Sequence, residues 1–343
     1  MSGTTEMQEF DQLPHEQKLE CLRQLATWAL AHYELPSGAT VEMINLSENA
    51  TFRVDDPVSH RRWALRVHRE GYHSETAVAS ELAWLTALRR DGAAVTPVPR
   101  AGRDGRLVQA VSHPSMPRPR NTVLFDWEQG REPSESDAEI RHWFEVLGET
   151  TARMHRHVRN WIPPHYFTRL TWDFDTSLGA TPHWGSWRDG MGLNPEHEAL
   201  FQRTIDLIDR RLQRFGKGPE RFGLIHCDMR LANLLIDGNV AKVIDFDDCG
   251  FSWLLYDCAT TVSFFEHNPE VPDLLAAWVD GYRKVTELPA EDEAEIPTFV
   301  MLRRLLLVAW IGSHSETELA QSMGVSYTES TVGLCEDYLS KFG

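Results

Sequence analysis

The chain has 343 residues, 42% hydrophobic and 25% charged, which is ordinary globular composition with enough apolar material for one large or two medium domains. Its 34 basic against 51 acidic residues leave a net charge of -17, which argues against nucleic acid and anionic membrane surfaces as partners while suiting a cationic substrate as well as plain solubility. Five cysteines without a C-x-x-C pair, an N-terminus lacking a basic flank and an apolar core, and no long uninterrupted apolar run exclude a disulfide framework, a zinc site and a membrane span, and a cytoplasmic protein is expected.

Pro14 opens a segment with Leu19, Leu22, Ala26, Ala29 and Tyr33 on one stripe, an amphipathic helix ended by Pro36. Strands are expected at 41–47, 50–56 and 61–69, joined by short polar turns as an antiparallel meander. A helix over 74–90 and strands near 107–111 and 122–125 complete a small sheet crossed by one helix. After Gly130 the pattern turns helical. Ile140, Phe144, Leu147, Thr151, Met154 and Val158 alternate at spacings of four and three, as on a long core-facing helix. The stretch 160–192 is irregular and rich in tryptophan, and a helix is expected over 195–215. Strands at 233–236 and 240–244 flank the turn Asp237-Gly238-Asn239, and residues 254–343 are mostly helical. The fold class is therefore α+β, divided into an N-terminal part over 1–126 and a larger helical part over 127–343.

The chemistry is concentrated in residues 224–248, LIHCDMRLANLLIDGNVAKVIDFDD. Phosphoryl transfer asks a protein for a carboxylate that orients the attacking hydroxyl and accepts its proton, and for oxygen ligands that hold magnesium against a triphosphate. Asp228, Asn233 and Asp245 are residues of that type, and His226, Asp228 and Asn233 stand in the H-x-D-x-x-x-x-N spacing of a kinase catalytic loop. Asp245 ends the second hairpin strand. Asp247 and Asp248 fit metal or substrate contact and loop capping equally well.

These motifs resemble the aminoglycoside phosphotransferase-like family of kinases, which includes choline, homoserine and fructosamine kinases and bacterial stress-response kinases, and the likeness runs from about residue 40 to the C-terminus. The resemblance implies a bilobal protein-kinase-like fold using ATP and Mg2+, with a small antiparallel-sheet lobe for the nucleotide and a larger helical lobe for catalysis. It makes Asp228 the catalytic base, Asn233 and Asp245 the magnesium ligands, His226 a brace for the loop, and Asp257 the acid that anchors that loop from the following helix.

Glu81 falls within the apolar stripe of the 74–90 helix, so its carboxylate needs a partner. Arg66 occupies the strand position where the family and protein kinases carry a lysine that pairs with the helix glutamate, so an Arg66–Glu81 pair touching the phosphates is expected. The first turn carries Ser47, Asn49 and Thr51 in place of a glycine-rich loop, as small polar donors to phosphate. VLFDWEQGR resembles the family's hinge and places Asp126 and Trp127 beside adenine. Arg230, two residues after Asp228, is a candidate to stabilise charge on the transferred phosphate.

The acceptor is the least defined element. Asp173, Asp175 and Glu266 are candidates to hold it, and a small-molecule hydroxyl compound is expected, with a Ser/Thr protein substrate and a nucleotide-binding pseudokinase as the other readings.

Overall fold

The computed structural model describes residue 10, residues 12–46 and residues 49–343. The chain forms two compact units, one of residues 1–87, 96–129 and 163–168, the other of residues 88–95, 130–162 and 169–343.

In the first unit α1 (His15–Ala29) precedes β1 (Thr40–Leu46), β2 (Ala50–Asp55), β3 (Arg62–Val67), α2 (Glu75–Arg90), β4 (Pro99–Arg100), β5 (Gln109–Val111) and β6 (Arg120–Asp126). The strands form one sheet in the order β1-β2-β3-β6-β4, with β5 paired to β6, and every pairing is antiparallel. Alternation decides the faces, since Phe52 and Val54 of β2 are buried while Arg53 between them pairs with Asp55 at 2.7 Å. The α1 stripe closes this core with Leu25, Ala26 and Ala29, each 0% exposed. The helix stops at Ala29, and a single 3-10 turn over Leu30–His32 leads to Tyr33, whose hydroxyl donates to the Thr122 carbonyl at 3.2 Å.

The division departs from a single cut after residue 126. Val243 donates its N–H to the Val95 carbonyl at 2.9 Å, tying the end of α2 and the following turn to the second unit, whereas Thr168 donates its N–H to Ser80 Oγ of α2 at 3.0 Å and belongs to the first.

The second unit contains α3 (Ile140–Val158), α4 (Phe174–Ser177), α5 (Pro195–Phe215), β7 (Phe222–Ile225), β8 (Leu234–Asp237), β9 (Val240–Val243), β10 (Gly250–Trp253), α6 (Leu254–Thr260), α7 (Val271–Arg283), α8 (Ala290–Glu293), α9 (Ile296–Ser313) and α10 (Glu318–Phe342). The β8–β9 hairpin and the 140–158 and 195–215 helices match the sequence pattern, whereas the antiparallel pair β7–β10 does not announce itself in it. Helices α3 and α7 meet through two glycines. A methyl group on Gly148 would lie 1.9 Å from the Trp278 carbonyl oxygen, and one on Gly281 would lie 1.9 Å from that of Glu145, so only hydrogen fits at either place.

The segment 290–313 is long and apolar enough to cross a membrane, yet 78% of its most apolar window is buried inside the unit. It is the core helix, and it carries Arg303 and Arg304 wholly inside. In the aromatic stretch, Trp172, Trp184 and Trp187 are at most 5% exposed, and Trp172 packs edge-on against Trp184 at 4.9 Å.

Candidate active site

Strand β7 leads into the loop 226–233, and α6 receives it. Asp257 of α6 accepts the backbone N–H of His226 at 3.2 Å and that of Cys227 at 2.7 Å, while Thr260, one turn further on the same face, accepts the Met229 N–H at 2.8 Å. Cys227 is held at φ 67, a left-handed conformation that a non-glycine residue keeps only when its surroundings impose it, at about 1–3 kcal/mol. The Asp228 N–H donates to His226 Nδ1 at 3.3 Å, and His226 Nε2 donates to the Ile244 carbonyl at 3.1 Å, which fixes the ring as the Nε2–H tautomer. Ile244 in turn donates its N–H to the Asn233 carbonyl at 2.9 Å, and Asp245 follows at φ 59. One histidine and one peptide thus couple the segment of Asp228 to that of Asp245.

Asp257 is itself held from behind. Tyr282 of α7 donates to His155 Nδ1 at 3.0 Å, and His155 of α3 donates from Nε2 to Asp257 Oδ2 at 3.1 Å. The glycine-mediated contact of α3 with α7 therefore positions the brace of the loop.

Asp228 is 9% exposed, and each carboxylate oxygen has its own donors. Oδ1 accepts from Arg303 Nη2 at 2.5 Å, and Oδ2 accepts from Asn233 Nδ2 at 2.7 Å and Arg230 Nε at 3.2 Å. Burial pushes the acid up, but the guanidiniums of Arg303 and Arg230 and the Asn233 amide outweigh it, and Asp228 lies below the usual carboxylate range. It is an ionised carboxylate with fixed orientation. Asn233 also donates Nδ2 to the Asp228 carbonyl at 2.9 Å, so both amide contacts use the nitrogen and leave Oδ1 as the acceptor. That oxygen is a hard acceptor of the kind magnesium takes, and Asp245 is half-buried.

In the first unit Arg66 of β3 and Glu81 of α2 form a buried pair, Nη2 to Oε1 at 2.5 Å, with the Arg66 guanidinium 5.4 Å from the centre of the Phe125 ring. Asn49 is buried and its Oδ1 accepts the Arg69 N–H at 3.0 Å, a brace on the sheet edge, while Thr51 is half-buried in β2. Ser47 lies outside the described residues. Asp126 pairs with Arg100 at 2.7 Å, and Trp127 is half-buried beside it.

Two of the three residues expected to hold an acceptor have internal partners. Asp173 caps α4 by accepting the Thr176 N–H at 3.1 Å and pairs with Lys217 at 2.7 Å. Glu266 lies in a closed ion pair, 2.6 Å from Arg304 Nη1, and also accepts from the Tyr327 hydroxyl at 3.1 Å. A carboxylate this deep must be neutralised from within the fold. Asp175 is exposed in the first turn of α4. The main chain at Asp247 and Asp248 is pinned, since Arg169 donates to the Asp247 carbonyl and Trp172 Nε1 to that of Asp248 at 2.9 Å.

The sequence reading missed Arg303, His155 and Tyr282. The one available signal was the pair Arg303-Arg304 inside an otherwise apolar helix, since buried guanidiniums demand carboxylates.

Residues 41–294 match the model of a family described as a phosphotransferase enzyme family. Among solved structures, a microcompartment-associated aminopropanol kinase is 44% identical, with 95% of this chain and 98% of that one aligned and a TM-score of 0.85. Amicoumacin kinase of Bacillus subtilis (strain 168) is 24% identical over 257 residues, 71% of this chain and 72% of the relative. The amicoumacin kinase hAmiN, solved with AMP-PNP, Ca2+ and Ami, shares the fold at 19% identity, a TM-score of 0.75 and 96% coverage of both chains.

Proposed function

The chain belongs to the phosphotransferase enzyme family, and from that premise we propose that it transfers the γ-phosphate of ATP to the hydroxyl of a small amino alcohol. It is a small-molecule kinase, so the protein-substrate and binding-protein readings fall away. The observation that carries the mechanism is the ionised, doubly anchored Asp228 carboxylate. In the proposed step the acceptor hydroxyl donates to Asp228, its O–H bond breaks as the oxygen bonds to the γ-phosphorus, and the proton ends on the carboxylate. The bond from the γ-phosphorus to the bridging oxygen breaks, its electron pair leaving with ADP.

Asn233 and Asp245 would hold the divalent metal, which neutralises charge on the phosphate oxygens when bound. Arg66, set by Glu81, serves the α- and β-phosphates with a planar fork in place of the family's point-charge lysine. Asp126 and Trp127 serve adenine through main-chain groups, Asn49 in the turn before β2 and Thr51 in β2 itself serve the phosphates, and the whole acts in the cytoplasm.

An amino alcohol is favoured by the 44% identity to an aminopropanol kinase across nearly the whole chain, and the net charge of -17 suits a cation. The test is ADP release over aminopropanol, ethanolamine, choline, propanol, an aminoglycoside and a generic protein. Saturable turnover with the amino alcohols and none with propanol is expected. Turnover confined to the aminoglycoside would overturn the acceptor class.

A further inference from the structure

Arg303 and Arg304 are consecutive residues of α9, both buried, yet their guanidiniums serve different purposes. Arg304 closes a structural knot, donating to Glu266 at 2.6 Å, Thr331 Oγ1 at 2.7 Å, Ser330 Oγ at 2.6 Å and the Tyr327 carbonyl at 2.9 Å. Every one of those groups lies on α10 or just before α7, and the carboxylate in the knot is wholly enclosed. Arg303 donates to two neutral hydroxyls, Ser263 at 2.9 Å and Tyr256 at 3.3 Å, and the carboxylate it pairs with is Asp228. A charge this deep at the loop of the base costs too much to persist without that pair.

We propose that Arg303 is the positioning residue of the phosphoryl transfer, engaging Oδ1 of Asp228 throughout the cycle so that the acceptor proton is taken by Oδ2. The inference rests on the assignment of Asp228 as base. The two oxygens differ in how replaceable their partners are. Arg303 is 2% exposed at 2.5 Å from Oδ1, and its ring neighbour Trp184, with the centroid 5.4 Å from the guanidinium, packs over it. At Oδ2 the Asn233 amide is buried at 2.7 Å, but Arg230 is 22% exposed and sits at 3.2 Å. The longer and wetter contact is the one an incoming hydroxyl displaces. The acceptor then donates to Oδ2 in the place of Arg230 Nε, while Arg303 and Asn233 keep the carboxylate plane from turning. A preorganised charge of this kind contributes because it needs no reorganisation during the reaction.

The test compares Arg303→Lys, Arg303→Met and Arg303→Ala in the full chain, measuring kcat, KM for ATP and for aminopropanol, and Tm. A loss of about a hundredfold in kcat is expected for Arg303→Met with KM for ATP unchanged. Arg303→Lys, which keeps the charge but not the fork, should retain about a tenth of wild-type kcat. Non-denaturing guanidinium should restore activity to Arg303→Ala by about tenfold, a rescue that a purely structural role does not give. Wild-type kcat in Arg303→Met, or equal losses in the Lys and Ala variants that track Tm without rescue, would overturn the proposal. Asp228→Asn run alongside separates the two readings. If it is inactive while Arg303→Met is fully active, only the role of Arg303 falls; if it turns over normally, the base assignment falls as well.

Discussion

The carboxylate of Asp257 lies 2.7 Å from the backbone nitrogen of Cys227, and that contact holds a non-glycine residue at φ 67 immediately before Asp228. The same carboxylate accepts the His226 N–H and the His155 Nε2–H, so its removal orphans three buried donors at about 1–3 kcal/mol each. Asp257→Ala should therefore lose about 3 kcal/mol or more of stability and at least about a hundredfold in kcat. Urea denaturation and steady-state kinetics measure both, and a fully active, equally stable variant would show that the loop holds its own shape.

Arg66 and Glu81 are both buried and paired at 2.5 Å. Arg66→Met leaves the glutamate without its charge partner and should cost about 3–5 kcal/mol together with ATP affinity. Arg66→Lys keeps the positive charge and should preserve both to within about 1–2 kcal/mol. Thermal unfolding and calorimetric ATP titration are the readouts. Unaltered affinity in Arg66→Met would mean that another group meets the α- and β-phosphates.

Glu266 offers a cleaner separation of structure from function, because its partner Arg304 is 0% exposed in the side chain. Glu266→Gln should lower stability by about 3–5 kcal/mol while leaving KM for the amino alcohol unchanged at temperatures where the protein is folded. A raised KM without a change in Tm would return Glu266 to the acceptor site.

The α3–α7 contact leaves no room for a side chain at Gly281, where an added methyl meets the Glu145 carbonyl at 1.9 Å. Gly281→Ala should cost about 3 kcal/mol or more, because the obstacle is helix backbone and cannot rotate away. Since Tyr282 and His155 of the same two helices hold Asp257, kcat should fall along with stability.

The thiols give a probe of packing. Burial pushes Cys227 and Cys258 well above the ordinary thiol range and Cys335 up to about 12, and Cys249 is wholly buried, whereas Cys21 is half-buried. At about pH 8 a thiol reagent should modify Cys21 alone in the native protein and all five cysteines after unfolding. Rapid reaction of a second thiol in the native state would contradict the packing around the catalytic loop.

What could be read in the sequence follows the distance over which each feature is encoded. The loop from His226 to Asn233 and the hairpin after it are local, so spacing alone placed Asp228, Asn233 and Asp245 on one segment. Arg66 and Glu81 are 15 residues apart, and a carboxylate in an apolar helix stripe was enough to demand the pair. Arg303 lies 75 residues from Asp228, and His155 lies 102 residues from Asp257, separations across which periodicity carries no information. The short strands β7 and β10, four residues each and both containing glycine, lacked the alternation that marks a strand. The partners of Asp173 and Glu266 were hidden for a related reason, since an acid reads the same whether it faces a ligand, caps a helix or neutralises a buried arginine.

The central claim is that Asp228 is the base of an amino-alcohol kinase, and the most direct measurement is turnover of Asp228→Asn with ATP and aminopropanol beside its ATP affinity. Asparagine keeps the volume and can still accept from Arg303, but it cannot take the proton. A fall in kcat of at least about a thousandfold with unaltered ATP binding is predicted. Turnover equal to wild type would contradict the account.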